Sequence, residues 1–291
     1  MTMQVGRGEH FREGSWLERG IARLRGARTR PAPAALRRLH ELMLDLLPGD
    51  HLVSTLPGGE RVRVAARHRH LSWNPEEYAA FKSAVRPGAT VLDVGANVGA
   101  YTVLFAQWAG AAGRVFAFEP APDTLAGLRE HVRINAVADR VEIVDAAVSS
   151  GEGTASFDCA GASGANALVA ADGGIADGVI TVRTTSLDRF CESRGLRPSV
   201  IKIDVEGAEL DVLRGARQTL AQPGLDIFVE FHPSIWAARG ITRDEIASEL
   251  ERQGLHPQPL HPSLDVWNTE GISVRLRPAL SVDDARVEGR N

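Results

Sequence analysis

Cysteine is scarce in this chain of 291 residues: Cys159 and Cys191 lie far apart, and neither has a Cys-x-x-Cys partner. That spacing excludes a disulfide framework and a thiolate zinc site, and a reducing cytosol is the compartment it fits. Long apolar runs are missing too. No stretch approaches the ~18 residues of a bilayer span, and the first residues lack the apolar core of a secretory signal, so neither a membrane span nor export is expected. Basic excess is absent as well. A net charge of −4 speaks against a nucleic-acid-binding core, because neutralising phosphates takes clustered basic side chains. Of 33 basic residues only Lys82 and Lys202 are lysine, a skew that, with the alanine richness, reflects GC-rich coding. The arginines that do cluster, Arg7 to Arg38, fall in the first forty residues around a Pro31-Ala-Pro33 break. This stretch reads as a loosely docked or poorly ordered leader rather than an arm for anionic surfaces.

What is present is an apolar strand that runs into a glycine-bearing turn and a helix, Val91-Leu-Asp-Val-Gly-Ala-Asn-Val-Gly-Ala-Tyr101. Val91, Leu92 and Val94 suit a strand covered on both faces, and Gly95 and Gly99 are expected to let the backbone turn close to a ligand. The spacing Gly-x-Asn-x-Gly lacks the middle glycine of the dinucleotide fingerprint, since Asn97 stands where backbone would meet a pyrophosphate. A cofactor without phosphate fits better. S-adenosylmethionine carries a sulfonium and an ammonium instead, for which acidic and amide side chains are suited. A second strand, Arg114-Val-Phe-Ala-Phe-Glu119, ends in an acid at the place where ribose hydroxyls are held in open parallel sheets. Singly, Asp93 reads as a helix-turn residue and Glu119 as a cap for the helix near Asp123. Together, at this separation, they point to a cofactor site.

Along the chain, residues 34–47 have leucines at helical spacing, 51–73 alternate around Gly58-Gly59 as a hairpin, and Pro75-Glu-Glu77 opens a short helix to Val85. A strand–helix rhythm follows: a helix from Asp123 to Asn135, then strand Val141–Val144 ending at Asp145. It breaks at 150–178, where glycine and alanine dominate; that stretch cannot build a core and reads as a lid or a mobile loop. Val179–Thr184 is expected as an added strand and Ser186-Leu-Asp188 as a helix start. Strand Val200–Asp204, a helix from Ala208 to Leu220, strand Leu225–Phe231, and a helix from Thr242 to Gln253 with a capping-box spacing come next. Short strands near 255–260 and 271–277 complete the sheet. The fold class predicted is α/β, a mostly parallel doubly wound sheet with its site at the strands' carboxyl ends.

Ile201-Lys-Ile-Asp-Val-Glu-Gly-Ala-Glu209 puts charge where an interior strand should have little. An unpaired buried ammonium costs several kcal/mol, so Lys202, a catalytic candidate, is expected to have a carboxylate partner, Glu230 or Asp93, with pairing favoured over proton transfer as its role. Asp204, Glu206, Glu230 and His232 are placed to converge at the carboxyl ends of neighbouring strands, which marks a candidate site.

The pairing of Leu92-Asp-Val-Gly-Ala-Asn-Val-Gly-Ala-Tyr101 with Ile201-Lys-Ile-Asp-Val-Glu-Gly-Ala-Glu-Leu-Asp-Val-Leu-Arg-Gly-Ala216 resembles the FkbM family of class I S-adenosylmethionine-dependent methyltransferases. Pro87-Gly-Ala89, Thr185-Ser-Leu-Asp188 and Val229-Glu-Phe-His232 add to the likeness, which covers about residues 72–261. The resemblance implies a seven-stranded Rossmann-like fold and O-methylation of a hydroxyl on a sugar or natural product. Residues 1–50 are then an amino-terminal extension and 51–291 the methyltransferase domain, with a core at 86–261. For the cofactor, Asp93, Gly95, Asn97 and Gly99 are expected around the methionine portion, Glu119 on the ribose and Asp145 near the adenine, with Trp73, Glu77 and Tyr101 closing a wall. His232 is the first choice of base, because its unperturbed pKa lies near neutrality. Asp204 and Glu206 are expected to orient the acceptor; their holding a divalent metal is less favoured, and no metal ligand is assigned. The competing readings are a nicotinamide-dependent oxidoreductase, which the missing glycine opposes, and a catalytically silent cofactor-binding scaffold, which the acidic cluster opposes.

Overall fold

The computed structural model describes residues 51–159, 167–168, 179–268 and 271–278. The expected helix at 34–47, the arginine-rich leader and most of the glycine- and alanine-rich stretch lie outside these residues. An antiparallel hairpin comes first, β1 (His51–Thr55) and β2 (Arg61–Ala65), turning at Gly58-Gly59 as expected. Helix α1 (Pro75–Ala84) follows; Asn74 caps it by accepting the Glu76 and Glu77 amide hydrogens, and proline at the first position fixes its φ. Then come β3 (Thr90–Val94), α2 (Ala100–Ala109), β4 (Arg114–Phe118), α3 (Pro122–Ile134) and β5 (Val141–Val144). Four short strands, β6 (Ala147–Val148), β7 (Gly153–Asp158), β8 (Ala167–Leu168) and β9 (Val179–Thr185), precede α4 (Leu187–Arg194) and β10 (Val200–Ile203). Helices α5 (Glu209–Arg214) and α6 (Arg217–Leu220), strand β11 (Asp226–Glu230), helices α7 (Pro233–Ala238) and α8 (Arg243–Arg252), and strands β12 (Leu255–Pro259) and β13 (Ser273–Pro278) complete it.

The main sheet has seven strands in the order β12-β13-β11-β10-β3-β4-β5. β5, β4, β3, β10 and β11 are parallel, and β13 enters antiparallel against β11. The chain winds outward from β3 to β5, then returns to the other side of β3 with β10, so the order reverses between β3 and β10. At such a switch point the two flanking loops part and leave a crevice at the strand ends. Helices cover both faces. Leu92, Val94, Ile201, Ile203, Ile227 and Val229 pack under α4, α5, α6 and α8. Val91, Val115, Ala117, Val200 and Phe228 pack under α1, α2 and α3. This two-sided burial is why the strands read as continuous apolar runs. The fold is α/β and Rossmann-like, as the sequence predicts.

Three local expectations change. The helix expected over 208–220 is broken at Gly215, where an added Cβ would lie 2.2 Å from the Ser149 carbonyl oxygen; a neighbouring loop passes too close for a continuous cylinder. The stretch from 150 opens with a true strand, because β7 pairs antiparallel with β9 along its full length. β9 in turn belongs not to the main sheet but to a separate four-stranded sheet, β6-β9-β7-β8. The capping box at Thr242 and Glu245 forms as its spacing implies.

The hairpin is fastened to the sheet layer by Trp73, which is fully buried with Leu56, Val62, Val64, Val103 and Leu104 and donates its indole hydrogen to the Ala100 carbonyl at 3.1 Å. Trp73→Ala empties that volume and is expected to lower unfolding free energy by about 3–5 kcal/mol in urea titration. A loss under about 1 kcal/mol would show that the hairpin layer contributes little.

Candidate active site

β3 and β10 meet at their carboxyl ends through backbone. Asp204 donates its amide hydrogen to the Val94 carbonyl at 2.9 Å, and Gly95 and Ala96 donate theirs to the Phe118 carbonyl at 3.0 and 2.9 Å. Gly95 has φ 75°, and a Cβ there would lie 1.7 Å from the Asp204 carbonyl oxygen. Gly99, at φ 88°, caps α2, and a Cβ would meet the Leu128 side chain at 2.6 Å. Both glycines thus meet a demand of chain against chain in left-handed backbone, and Gly95 also lines the cleft described next.

A cleft with a cavity volume of about 70 Å³ lies at this switch point. Gly95, Asn97 and Glu119 line one side, Asp204 and Glu206 another. Phe157 and Val148, from the second sheet, form an apolar wall that sequence reasoning missed. The only signal for it was one aromatic residue beside a glycine- and alanine-rich run.

Glu119 is 5% exposed and accepts the Asn97 amide hydrogen at 3.0 Å on one oxygen and the Ala121 amide hydrogen at 2.9 Å on the other. A carboxylate offers about four acceptor directions, so two remain for a ligand. Burial pushes its pKa up to about 7 against the pull of those two hydrogen bonds, and Asp93 and Asp204 push the same way. Asn97 adopts φ 51° and its side-chain oxygen accepts the Val98 amide hydrogen at 2.7 Å. The loop is braced from behind by His131. Its Nδ1 lies 2.6 Å from the Val98 carbonyl, which makes Nδ1 the donor, and its Nε2 accepts the Ala65 amide hydrogen at 3.0 Å.

Lys202 lies in the middle of the sheet, 4% exposed. It donates to Asp204 Oδ2 at 3.1 Å, and its Nζ is 3.8 Å from Asp93 Oδ1 and 5.9 Å from the Tyr101 ring centre. Asp93 was an expected partner; Asp204, just past the end of β10, is the nearer one, and Glu230 acts at longer range. Burial works against the ammonium, but the charges of Asp204, Asp93, Glu77 and Glu230 outweigh it and hold its pKa above the ordinary value. Asp93 is 1% exposed and accepts the Thr102 hydroxyl at 2.5 Å. It faces Lys202, outside the cleft wall where a cofactor contact was expected. Tyr101 is turned the same way and donates its hydroxyl to Glu77 at 2.8 Å. The other Glu77 oxygen accepts the Ser273 amide and hydroxyl hydrogens at 2.8 and 2.6 Å. Asp145 is exposed, 3.9 Å from Arg129, and also lies off the cleft.

His232 is set behind Asp204 and Glu206. Its Nδ1 is 2.7 Å from Glu209 Oε1, and its Nε2 is 3.4 Å from Glu206, 3.5 Å from Glu230 and 3.8 Å from Asp204. Glu209, absent from the expected site residues, is fully buried and also accepts the Gly207 amide hydrogen at 3.0 Å and the Trp236 indole hydrogen at 2.5 Å. Burial opposes charge on the ring, but Glu209 and Glu230 prevail and raise its pKa to about 11. The imidazole thus keeps its proton at neutral pH and is not poised to accept another, contrary to the reason for choosing it as base. Burial raises the Glu206 pKa as well, partly countered by His232. Glu206 holds a left-handed φ of 48° just before Gly207 at 92°, a strained backbone that aims its carboxylate toward the imidazole.

The chain is thus an α/β protein with a Rossmann-like sheet, an acid at the tip of β4 and a cleft at the switch point. The Methyltransferase FkbM domain family matches residues 93–256, and the chain belongs to that family. Hexuronic acid methyltransferase AglP of Haloferax volcanii is 33% identical over 147 residues, covering 49% of this chain and 56% of that protein. The 2-O-methyltransferase NoeI of Sinorhizobium fredii is 34% identical over 149 residues, covering 47% and 61%. The chain thus spans little more than half the length of these curated relatives. Among solved structures, a methyltransferase FkbM from Methylobacillus flagellatus superposes with a TM-score of 0.44 at 16% identity, covering 69% of this chain and 50% of that one.

Lys202→Met removes the ammonium from among four carboxylates. Breaking a buried pair this way is expected to lower stability by about 3–5 kcal/mol in urea unfolding, and restoring charge balance with Asp93→Asn in the same chain should recover part of it. Equal stability of Lys202→Met and the parent would contradict this account of the central strand.

Proposed function

We propose that this protein transfers a methyl group from S-adenosylmethionine to a hydroxyl of a small molecule, a sugar or a natural product. The observation that carries the reading is Glu119, a buried carboxylate at the β4 tip that braces the Gly95–Gly99 turn and keeps acceptor capacity beside the cleft. The name of one curated relative gives a hexuronic acid as acceptor and that of the other gives methylation at oxygen, and together they support methyl transfer to an oxygen of such a molecule. An acidic site edge supports a cationic cofactor over a dinucleotide, as does the side chain at Asn97. Residues 51–291 form the methyltransferase domain in this reading, with 1–50 as an extension. Free Cys159 and Cys191 support work in a reducing cytosol.

When bound, the cofactor supplies a methyl group already activated on sulfonium sulfur. The protein's tasks are alignment and removal of one proton. Glu119 would receive the ribose hydroxyls, and the turn from Gly95 to Asn97 would meet the methionine portion. Asp204 and Glu206 line the cleft, whereas His232 lies behind them, so the acceptor hydroxyl meets a carboxylate first. The methyl would pass from sulfur to the hydroxyl oxygen with the carbon–sulfur electron pair left on sulfur, and the carboxylate would take the hydroxyl proton.

Calorimetry with S-adenosylmethionine and S-adenosylhomocysteine tests the cofactor contacts. Glu119→Ala is expected to weaken both at least about tenfold. Protonation removes acceptor capacity from Glu119, whose pKa is about 7, so affinity is expected to fall from pH 8 to pH 6, with a flat profile in Glu119→Gln. Binding of neither nucleoside at any pH would overturn the reading. Asp204→Asn should leave affinity intact while lowering kcat by about 10²–10⁴-fold.

A further inference from the structure

We infer that Asp204, Glu230 and His232 form a site for one divalent cation at the inner edge of the cleft, a deepening that rests on the methyl-transfer reading. One ligand atom from each of the three lies within 4.8 Å of the others. Ligands around a cation at ~2.1 Å stand ~3.0–3.4 Å apart, so a small inward shift of the two carboxylates closes the set.

The donors are not acids alone, and each is already oriented. His232 is 6% exposed and its Nδ1 is tied to Glu209, the carboxylate–imidazole pairing that fixes metal-bound histidines and leaves Nε2 as the ligand. Glu209 cannot swing, because Gly207 and Trp236 hold it as well. Asp204 divides its oxygens: Oδ2 accepts from Lys202, and Oδ1 faces the imidazole. Glu230 presents Oε1 from the next strand, and Glu206, at 3.4 Å from Nε2, stands as a fourth oxygen donor on the cleft side.

Charge points the same way. Asp204, Glu206, Glu209 and Glu230 surround one imidazole here, and Lys202 is shared with Asp93. A divalent cation in place of the ring proton neutralises more of this excess. One nitrogen among hard oxygens suits Mn²⁺ or Zn²⁺ better than Mg²⁺. Placed beside Asp204, the ion would hold the acceptor oxygen and lower its hydroxyl pKa.

The test uses the full chain stripped with chelator. Mn²⁺ is titrated in and the free ion followed by electron paramagnetic resonance; Zn²⁺ and Mg²⁺ are followed by equilibrium dialysis with elemental analysis. One Mn²⁺ per chain with sub-millimolar affinity is expected, with Zn²⁺ tighter and Mg²⁺ weakest. Asp204→Asn, Glu230→Gln and His232→Ala should each weaken Mn²⁺ at least about tenfold, and Glu209→Gln, a positioning change, by about 10–100-fold, while the surface change Glu142→Gln leaves it unaltered. Absence of binding by the parent chain at about 1 mM Mn²⁺ overturns the proposal whatever the variants do. So does binding that all four substitutions leave intact, measured on variants whose circular dichroism matches the parent. S-adenosylhomocysteine binding in chelator separates the two readings: nucleoside without cation ends only the metal site, and cation without nucleoside ends only the methyl-transfer reading.

Discussion

The candidate site depends on one buried cation. Lys202 occupies the strand next to the switch point, where its neighbours in register are Asp93 on β3 and Phe228 on β11. An ammonium there is tolerable only because carboxylates from four chain segments lean toward it: Asp93, Asp204, Glu77 and Glu230. The reverse also holds. Without the lysine, those acids would repel one another across the tips of the central strands. Lys202 thus gathers carboxylates at one edge of the sheet, and because Asp204 spends only one oxygen on it, the other remains directed at the imidazole.

Much of the architecture was legible because its physics is local. Two-sided burial made β3, β4, β10 and β11 readable as apolar runs, and Pro75, Ser186 and Thr242 marked the starts of three helices. The break at Gly215 was not legible, since helical spacing continues through it and the obstacle is a loop from elsewhere in the chain. The second sheet was hidden for a similar reason: glycine and alanine surround β7, and pairing with β9 supplies what composition does not.

Site residues divide the same way. Asp204, Glu206, Glu230 and His232 were readable as a set because strand ends bring them together in any parallel sheet. Glu209 was not, as an acid at a helix start looks like ordinary complement to the helix dipole until Trp236 and His232 close on it. The motif glycines answer a packing demand in addition to the one their spacing suggested. Gly95 is required where two loops cross, and that need for closeness resembles a cofactor motif when only spacing is visible. Asp93 and Tyr101 belong to the Lys202 neighbourhood, so the motif that contains them records the interior as much as the cleft.

Glu77 and Ser273 are 196 residues apart, yet their hydrogen bonds fasten α1 to the antiparallel strand β13 right beside the lysine. Parallel strands form through distant partners and late loop closures. During synthesis, then, the lysine-bearing strand emerges from the ribosome well before β13 can seal that flank. Until β13 has been made the acids have no finished enclosure, so a nascent chain should acquire ligand affinity abruptly, once that strand emerges, rather than by degrees.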